Sequence, residues 1–311
     1  MESVDFNTVL SHCELCPRQC GVNRLSGESG FCRAGRETEI YRYAPHYGEE
    51  PPISGTRGSG TVFFSRCTLN CIYCQNYPWS QEGAGTKISV ENLAAVLREL
   101  RDAGCHNWNL VSPTHWLPMI YAALEMVKKD GKLLPIVYNT GSYERVPTLR
   151  ALEGMVDVYL ADLRYARAST AREGSAAGDY VELARMAFLE MWRQAGPLRM
   201  TPDGIALSGV IGRILILPGL ADEACENIRW LADNIGPDVA LSIMAQYAPA
   251  YKARRIEKWN RPISYDEYRQ VRCEVEKKGF TNGWIQDYDG RPDSELAGFK
   301  MPAMNFVSRE A

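Results

Sequence analysis

The sequence predicts an α/β fold in which parallel strands alternate with helices. Six short apolar runs of strand character are each followed by a segment with the apolar spacing of an amphipathic helix, and one more short run lies near Trp284. Parallel strands need crossover connections, which such helices provide. The pattern therefore predicts a parallel sheet with helices outside it, either curled into a barrel or doubly wound. In both arrangements ligands bind at the carboxyl ends of the strands.

The individual elements follow from apolar periodicity and from helix caps. Strands are predicted over 61–64, 109–111, 135–138, 156–160, 211–217, 239–244 and 284–285. Helices are predicted over 90–103, 119–129, 147–153, 180–194, 222–234 and from 264 onward. Ser89 is a suitable cap for the first of these helices. Ser264 stands three residues before Glu267, which is the spacing of a capping box.

Composition and charge narrow the class of protein. The 311 residues, 45% of them apolar, can bury a sizeable core in one large α/β domain or two modest ones. The net charge is −3 and Lys and Arg are scattered, so we expect no nucleic-acid partner. No run approaches the roughly 20 apolar residues of a membrane span, and the first residues lack a secretion-signal pattern. We therefore expect a cytoplasmic monomer without membrane contact.

The chain divides by composition into four parts. The first part is rich in cysteine and turn residues and has too few large apolar side chains for a core of its own, so a metal would supply the missing stability. Pro and Gly are dense in the segment after it, which is typical of a linker. We place a Cys-rich metal-binding segment at 1–43, a linker at 44–60, the α/β core at 61–290 and a tail at 291–311.

Ten cysteines in a cytoplasmic chain of this size favour metal ligation over disulfides, because that compartment keeps thiols reduced. Seven of them fall within the first 74 residues, in two groups. The other three, Cys105, Cys225 and Cys273, stand alone in or beside predicted helices. There we expect small buried thiols.

The group Cys67, Cys71 and Cys74 directly follows the first predicted strand, in the run TVFFSRCTLNCIYCQNYP. The three thiolates would lie on the first strand-to-helix loop, where such sheets bind cofactors. Soft thiolates select zinc, copper(I) or iron-sulfur clusters. A 4Fe-4S cluster with three protein ligands keeps one iron open for a substrate or cosubstrate. The alternative, three buried thiols on one helix face, is disfavoured because the run QNYP interrupts a helix.

This cysteine motif, with aromatic Tyr73 before its last cysteine, resembles that of the radical S-adenosylmethionine (SAM) superfamily. The flanking runs CIYCQN, GEEPPISG, MAQYAP and NGWIQ are similar to the group related to pyruvate formate-lyase activating enzymes. The resemblance covers nearly the whole chain and implies a partial (β/α)6 TIM-like barrel. It further implies a 4Fe-4S cluster on Cys67, Cys71 and Cys74. Reduced by a donor such as flavodoxin or ferredoxin, the cluster would cleave SAM to methionine and a 5'-deoxyadenosyl radical.

The resemblance also implies a set of SAM-binding residues: Tyr73, Ser112, Thr114, Asn139, Asp162 and Arg213. Tyr73 would lie along the adenine and Asn139 would bind the ribose, unless the Asn-Thr-Gly run is an ordinary turn. Ser112 and Thr114 stand where the family has a Gly-Gly-Glu-like turn, and here the acidic residue is absent. Arg213 would meet the SAM carboxylate, because a charge pointing into a barrel needs an anion.

Four further residues are expected on the substrate side: His115, Arg164, Gln246 and Tyr247. Asp162 and Arg164 are similar to the activating enzymes' Asp-x-Lys, with Arg changing the geometry. His115 has a side chain suited to acid-base work, although a capping or loop-packing role is equally open. Gln246 and Tyr247 can alternatively complete a polar strand end. In the linker, His46, Glu49 and Glu50 could reach the active site, although exposed loop acids are the favoured interpretation.

The second group, Cys13, Cys16, Cys20 and Cys32, has the spacing C-x2-C-x3-C-x11-C and supplies four thiolates for a closed tetrahedral site. Zinc would make it a structural site, which we slightly favour, and a second iron-sulfur cluster would make it an electron relay.

The expected function is hydrogen abstraction from a substrate, which could be a glycine of a partner protein. Two alternatives stay open. One is radical modification of a small metabolite or cofactor precursor. The other, of a different class, is a zinc-binding scaffold or interaction protein in which all seven clustered cysteines are structural.

Overall fold

The computed structural model describes residues 4–131 and 133–288, and these residues form the predicted α/β fold. The strands are β1 Thr38–His46, β2 Ser59–Phe64, β3 Thr86–Ile88, β4 Trp108–Val111, β5 Ile136–Thr140, β6 Val158–Asp162, β7 Arg199–Met200, β8 Ala206–Leu215, β9 Ala240–Met244 and β10 Gly283–Ile285. The α-helices are α1 Pro51–Ser54, α2 Tyr77–Ser80, α3 Val90–Asp102, α4 Leu117–Lys128, α5 Val146–Arg150, α6 Ala168–Ser175, α7 Tyr180–Ala195, α8 Ala221–Asn234 and α9 Tyr265–Lys277.

The sheet is wound in one direction. Its order is β10-β9-β8-β6-β5-β4-β2-β1-β3, and β7 pairs with β8. All neighbours from β2 to β10 along this path are parallel, whereas β1 is antiparallel to both β2 and β3. A doubly wound sheet would reverse its strand order at a switch point. The sequential order is therefore that of a partial barrel, and no pairing between the end strands closes it within the described residues.

The predicted elements agree with the structure apart from their ends. Both predicted caps are present, since Ser89 accepts from the backbone of Asn92 and Ser264 forms a capping box with Glu267. The fifth predicted strand is longer at its start, because β8 begins at Ala206 and pairs there with the short β7.

The strand β1 was not predicted, and it changes the description of the linker. It pairs with β2 along six residue pairs, from Ile40 opposite Phe64 to His46 opposite Ser59. Residues 44–46 and 59–60 therefore belong to the sheet, and residues 51–54 form α1. Expectations for the tail, 291–311, lie outside the described residues.

The two faces of the sheet pack against different parts of the molecule. Large apolar side chains of the outer face pack on the helices, for example Tyr159 against the cluster that contains Phe188 of α7. On the inner face Val137, Val158 and Ile211 pack with Ile53 of α1, which fills the interior at one end. Because side chains alternate along a strand, the inner face continues toward the carboxyl ends with polar residues. The strand register therefore places polar side chains at the carboxyl ends of the strands and apolar side chains at the opposite end of the interior.

Two of the isolated cysteines are buried as expected, Cys105 and Cys225, but Cys273 on α9 is exposed, so its prediction was wrong. Its side chain lies on the solvent face of an amphipathic helix whose buried positions include Tyr268 and Val271. No helix among the described residues is long and apolar enough to cross a membrane.

Candidate functional site

A cavity of about 220 Å³ lies at the carboxyl ends of the parallel strands. The strand register explains its lining, because Asp162 is paired with Arg213 and Asn139 lies one strand further along on the same inner face. Of the residues named from the sequence, those that line this cavity are His46, Glu49, Cys71, Tyr73, Cys74, Ser112, Asn139, Asp162, Arg164, Arg213, Gln246 and Tyr247. The others, Cys67, Thr114 and His115, line a small adjoining cavity together with Ser112 and Arg164.

The loop that carries Cys67, Cys71 and Cys74 is held in an irregular path by its surroundings. Arg66 adopts a left-handed backbone (φ 75°) immediately before Cys67, and its guanidinium pairs with Glu39 at 2.7 Å. Further on, the amides of Asn70 and Ile72 donate to the last carbonyls of α6, those of Ser175 and Gly174. The three thiols are therefore presented by a loop and not by one helix.

Each of the three sulfurs has a hydrogen-bond partner. The Leu69 amide donates to Sγ of Cys67 at 3.4 Å, and the Ser80 hydroxyl lies 3.1 Å from Sγ of Cys74. Sγ of Cys71 accepts from the Ser175 hydroxyl at 3.0 Å and from the guanidinium of Arg164 at 2.9 Å. Such donors stabilise negative charge on sulfur.

The thiols also influence one another. Burial and, after it, the neighbouring Cys71 together raise the pKa of Cys67 to about 12. Burial and Cys71 likewise raise the pKa of Cys74 to about 11. Three thiolates this close and this buried need a cation to be stable.

The donor set, three soft thiolates beside a cavity, fits an iron-sulfur cluster with one open iron. Within residues 4–131 and 133–288 no group of three or more His, Cys, Asp or Glu side chains is already arranged around a metal position. Ligation would therefore require the thiol side chains to turn toward a common centre.

Arg164 connects the cysteine loop to the end of β6. One of its nitrogens contacts Cys71, and another donates to Oδ2 of Asp162 at 2.9 Å. Its guanidinium also packs close to Gly141, where a Cβ atom would lie 3.2 Å from it. The Arg in the Asp-x-Arg run thus reaches the thiols, a contact that the spacing alone did not reveal.

Arg213 is paired with two carboxylates of the chain itself, Glu50 at 3.0 Å and Glu49 at 3.4 Å. The side chains of Glu49 and Glu50 are only 8% and 5% exposed, so the expectation that they are exposed loop residues was wrong. β1 is part of the sheet and α1 packs inside it. The acids between these two elements therefore lie over the inner face of the sheet, where they are covered. Arg213 therefore already has anionic partners in the chain, and its contact with the SAM carboxylate stays a prediction.

The carboxylates of this site are held in different ways. Burial raises the pKa of Glu49, whereas the charge of Arg213 lowers it. Oε1 of Glu49 accepts from the amide of Asn109 at 2.9 Å. Arg213 additionally donates to Oδ1 of Asn139 at 3.2 Å, so Asn139 already has one polar partner.

Aromatic side chains form a wall beside the cysteines. The Tyr73 ring is stacked on Trp259 with centroids 5.3 Å apart, and its hydroxyl lies 2.8 Å from that of Tyr165. Tyr247 packs against Tyr73 and donates to the Trp259 carbonyl at 2.7 Å. One face of Tyr73 is therefore covered by protein. Trp259 and Tyr165 lie outside the recognised motifs, and no sequence signal identified them.

Ser112, Thr114 and His115 lie on the turn after β4. Ser112 has a left-handed backbone (φ 54°), and Thr114 donates to Oε1 of Glu144 at 2.7 Å. His115 is buried, with Nε2 2.9 Å from the carbonyl of Ser65. Burial lowers the pKa of His115 to about 3, so the ring stays neutral at physiological pH. These are the contacts of a loop-packing residue, the alternative already open for His115.

Glu144 is a buried acid that the motifs did not single out. Its Oε1 accepts from the hydroxyls of Thr114 and Thr140, the latter at 2.5 Å. Burial raises its pKa to about 7, and these hydrogen bonds oppose the rise. It thus brings an acidic group to the Ser112–Thr114 turn, whose own sequence has none. Its place three residues after the Asn-Thr-Gly turn was the available signal.

The second group of cysteines is also brought together. Cys13, Cys16, Cys20 and Cys32 line one small cavity, to which Arg24 and His115 also contribute. All ten cysteines of the chain are free thiols.

Comparison with known proteins gives relatives without an assigned activity. No protein-family profile matches the sequence. The uncharacterized protein MJ0674 of Methanocaldococcus jannaschii is 28% identical over 273 residues, which are 85% of this chain and 74% of that protein. A second uncharacterized protein of that organism, MJ0808, is 25% identical over 180 residues, 52% of this chain and 51% of its own length.

Partial structural likeness is found to two solved proteins with bound ligand. SuiB of Streptococcus suis bound to S-adenosylmethionine has a TM-score of 0.49 at 13% identity, over 72% of this chain and 49% of SuiB. Native anSMEcpe with bound AdoMet has a TM-score of 0.44 at 11% identity, over 68% of this chain and 57% of anSMEcpe. The chain thus spans about half the length of these solved chains.

Proposed function

We propose that this protein is a radical SAM enzyme, which binds a 4Fe-4S cluster on Cys67, Cys71 and Cys74 and cleaves SAM reductively. The single observation that carries the proposal is the position of this cysteine loop. It directly follows the first parallel strand and borders the cavity at the carboxyl ends of the strands. A purely structural thiol site would have no reason to face this cavity, which favours the enzyme over the zinc-scaffold alternative.

When bound, the cluster would supply the electron that converts SAM into methionine and the 5'-deoxyadenosyl radical. The residues of the chain would hold and shield the reactants. Tyr73 and its stacked partner Trp259 provide an apolar wall next to Cys74, and the hydroxyls of Ser175 and Ser80 support the sulfurs. Arg164 balances negative charge beside Cys71. These groups would limit the access of water to the thiols, as radical chemistry requires.

The polar groups on the inner face would orient SAM. Ser112, Asn139 and Asp162 line the cavity on neighbouring strands and can accept or donate to amino and hydroxyl groups. Thr114 lies farther from the cavity, and its hydroxyl links the turn after β4 to Glu144. Since Glu49 and Glu50 already balance Arg213, the SAM carboxylate would be matched by Arg164 in preference to Arg213.

For the substrate we propose a glycine of a partner protein, with a flavodoxin or ferredoxin as electron donor. Support for this assignment comes from the flanking runs CIYCQN and MAQYAP, which are similar to the activating-enzyme group. Gln246 and Tyr247 line the cavity after β9 and would face the substrate. We place this chemistry in the cytoplasm, where thiols are kept reduced.

The proposal is tested with protein reconstituted anaerobically with iron and sulfide. We expect a brown protein that, after reduction, releases 5'-deoxyadenosine from SAM. Cys71→Ala should abolish this release, because a cluster with two protein ligands is not held. The matched control is Cys273→Ala, which removes an exposed thiol on α9 and should leave both colour and release unchanged.

Two results would count against an enzyme. One is a wild-type protein that stays colourless after reconstitution, and the other is a Cys71→Ala protein that cleaves SAM at the wild-type rate. The substrate is tested separately, by electron paramagnetic resonance of the reduced enzyme mixed with SAM and a glycyl-radical protein encoded next to it. A glycine-centred signal supports the activase. Deuterium transfer from a small metabolite into 5'-deoxyadenosine supports the metabolite alternative instead.

A further inference from the structure

The four cysteines of the first segment converge although they lie on separate turns. Cys13, Cys16, Cys20 and Cys32 line a single cavity of about 10 Å³. The sequence separates the first from the last by 19 residues, so the chain must fold back to bring them together. The convergence is a tertiary feature, because the spacing alone does not require Cys32 to meet the other three.

A short hairpin presents the first three thiols. The Cys13 amide donates to the Val22 carbonyl at 3.0 Å, and the Gly21 amide donates back to the Cys13 carbonyl at 3.0 Å. Between them the Gln19 amide donates to the Cys16 carbonyl at 3.0 Å, which closes a tight turn around Cys16 and Cys20. At the end of this turn Gly21 has a left-handed backbone (φ +66°), a conformation that glycine adopts without steric cost.

The backbone also approaches the sulfur of Cys20 closely. The Phe31 amide donates to this Sγ at 3.3 Å. Next to it, a Cβ atom on Gly30 would lie 2.8 Å from the same sulfur, so a larger residue there would collide with it. An amide donor and a glycine beside a thiol are the surroundings expected for a metal-bound thiolate.

The small size of the cavity favours a single ion over a cluster. A space of 10–15 Å³ holds about one water-sized particle, and this cavity measures about 10 Å³. A cube of four irons and four sulfides needs several times that volume. Four sulfurs around one atom form a closed tetrahedron with no position for a substrate, which is the arrangement of a structural zinc site.

We propose that Cys13, Cys16, Cys20 and Cys32 bind one structural zinc ion, and that this ion fixes the loop of the neighbouring cysteine group. Binding would turn the thiol side chains toward the ion, since they are not yet arranged around a metal position. Zinc binding at this site does not require the proposed enzymatic function.

Three contacts connect this site to the loop that begins at Cys67. Arg24, next to the four thiols, donates to the His115 carbonyl at 2.7 Å, and the His115 ring meets the carbonyl of Ser65 at 2.9 Å. From the hairpin, Arg18 donates to the Thr68 carbonyl at 3.1 Å. The zinc-bound segment therefore supports the loop on both sides of Cys67.

The test measures zinc and iron bound to the purified full-length chain and to three variants. We expect one zinc ion per wild-type chain. The triple variant Cys67→Ser, Cys71→Ser, Cys74→Ser should keep this zinc and lose its iron, so it reports on the second site even if the proposed function fails. The double variant Cys16→Ser, Cys20→Ser should lose at least about nine-tenths of the zinc, because two thiolates cannot hold the ion in a closed site.

A conservative variant guards against misfolding of the double variant. Cys20→His keeps a ligand that zinc accepts, and Cys20 is the most exposed of the four, so zinc should be retained. Cobalt in place of zinc should give the visible bands of a tetrahedral thiolate site in wild type and in the triple variant. Eight irons per wild-type chain without zinc would overturn the proposal in favour of a second cluster. Unchanged zinc in the double variant, or no zinc in wild type, would also overturn it.

Discussion

At the scale of single residues, Arg213 is the clearest case of a charge whose partner is not what its position suggests. It points into the cavity at the end of β8, where an anionic ligand is the natural expectation. Its charge is balanced instead by Glu49 and Glu50, with Asp162 at 3.9 Å. Three charges whose side chains are at most 14% exposed must fold as a unit, because any one of them alone would be costly.

Arg213→Met should therefore destabilise the protein even without any ligand. Removing one partner of a buried ion pair costs about 3–5 kcal/mol, because the remaining charges are left uncompensated. Urea unfolding measures this loss. The triple variant Arg213→Met, Glu49→Gln, Glu50→Gln should recover part of it.

The matched control for this prediction is Arg269→Gln, which breaks an exposed pair with Asp266. We expect a change of at most about 1 kcal/mol there. If Arg213→Met unfolds at the same urea concentration as wild type, the Glu49 and Glu50 contacts do not stabilise the fold.

Glu144 should make stability depend on pH in an unusual direction. Its pKa rises from 4.5 to about 7 on folding, because burial disfavours the charged form. Between these values the folded chain keeps a proton that the unfolded chain releases, so this residue's contribution falls as pH rises and is constant above about 7. Glu144→Gln should remove that fall, a difference of roughly 3 kcal/mol at most.

Urea unfolding at about pH 4 and about pH 8 tests this, because the wild-type and Glu144→Gln curves should separate only at the higher pH. Glu37→Gln, which changes an exposed acid, should leave the pH profile as it is. If the free energies of unfolding of wild type and of Glu144→Gln depend on pH in the same way, burial does not disfavour the charged form of the Glu144 carboxyl.

At the scale of elements, α9 depends on the capping box that its sequence predicted. The Ser264 hydroxyl accepts from the Glu267 amide at 3.2 Å, and the Glu267 carboxylate accepts from the Ser264 amide at 2.6 Å. Ser264→Ala should cost about 1 kcal/mol, because an N-cap acceptor is lost. Ser264→Asp keeps an acceptor and should melt close to wild type. Equal melting of all three proteins would show that the cap does not contribute.

Strand β8 depends on a glycine for a different reason. Gly209 has φ +127°, and a Cβ atom there would lie 2.5 Å from the backbone of Leu198. Gly209→Ala should destabilise by about 2 kcal/mol or more, from backbone strain and overpacking together. Gly35→Ala, where a Cβ meets open space, should stay within about 0.5 kcal/mol of wild type in thermal unfolding. A Gly209→Ala protein as stable as the Gly35→Ala protein would contradict this.

At the scale of the whole molecule, stability should decline from the middle of the sheet toward its ends. Strand β6 is buried and paired on both sides, with β5 and β8, whereas β10 has three residues and pairs only with β9 in the described part of the chain. We expect β6 amides to exchange hydrogen only by global unfolding and β10 amides to exchange by local opening. Equal protection of the two strands would indicate that β10 is covered by a further contact.

The sequence alone was sufficient to predict the repeating strand-helix units and to identify the cysteines that could bind a metal. Apolar periodicity predicted every strand from β2 to β10 except β3 and β7, and the spacing of Cys67, Cys71 and Cys74 identified their loop. These signals are local, because periodicity and motif spacing are properties of contiguous residues. The antiparallel β1 was missed because the Pro and Gly density of residues 44–60 indicated a linker, whereas both ends of that segment pair in the sheet.

Only the tertiary structure decided which charges meet and which thiols converge. Glu49 and Arg213 are 164 residues apart, and their contact arises because β1 and β8 deliver both to the same inner face. The contact of Arg164 with Cys71, and the gathering of Cys32 with the other three thiols, have the same origin. The physical reason is that a buried charge or thiol takes whichever partner the closed fold brings within a few ångströms, and no local pattern records that choice.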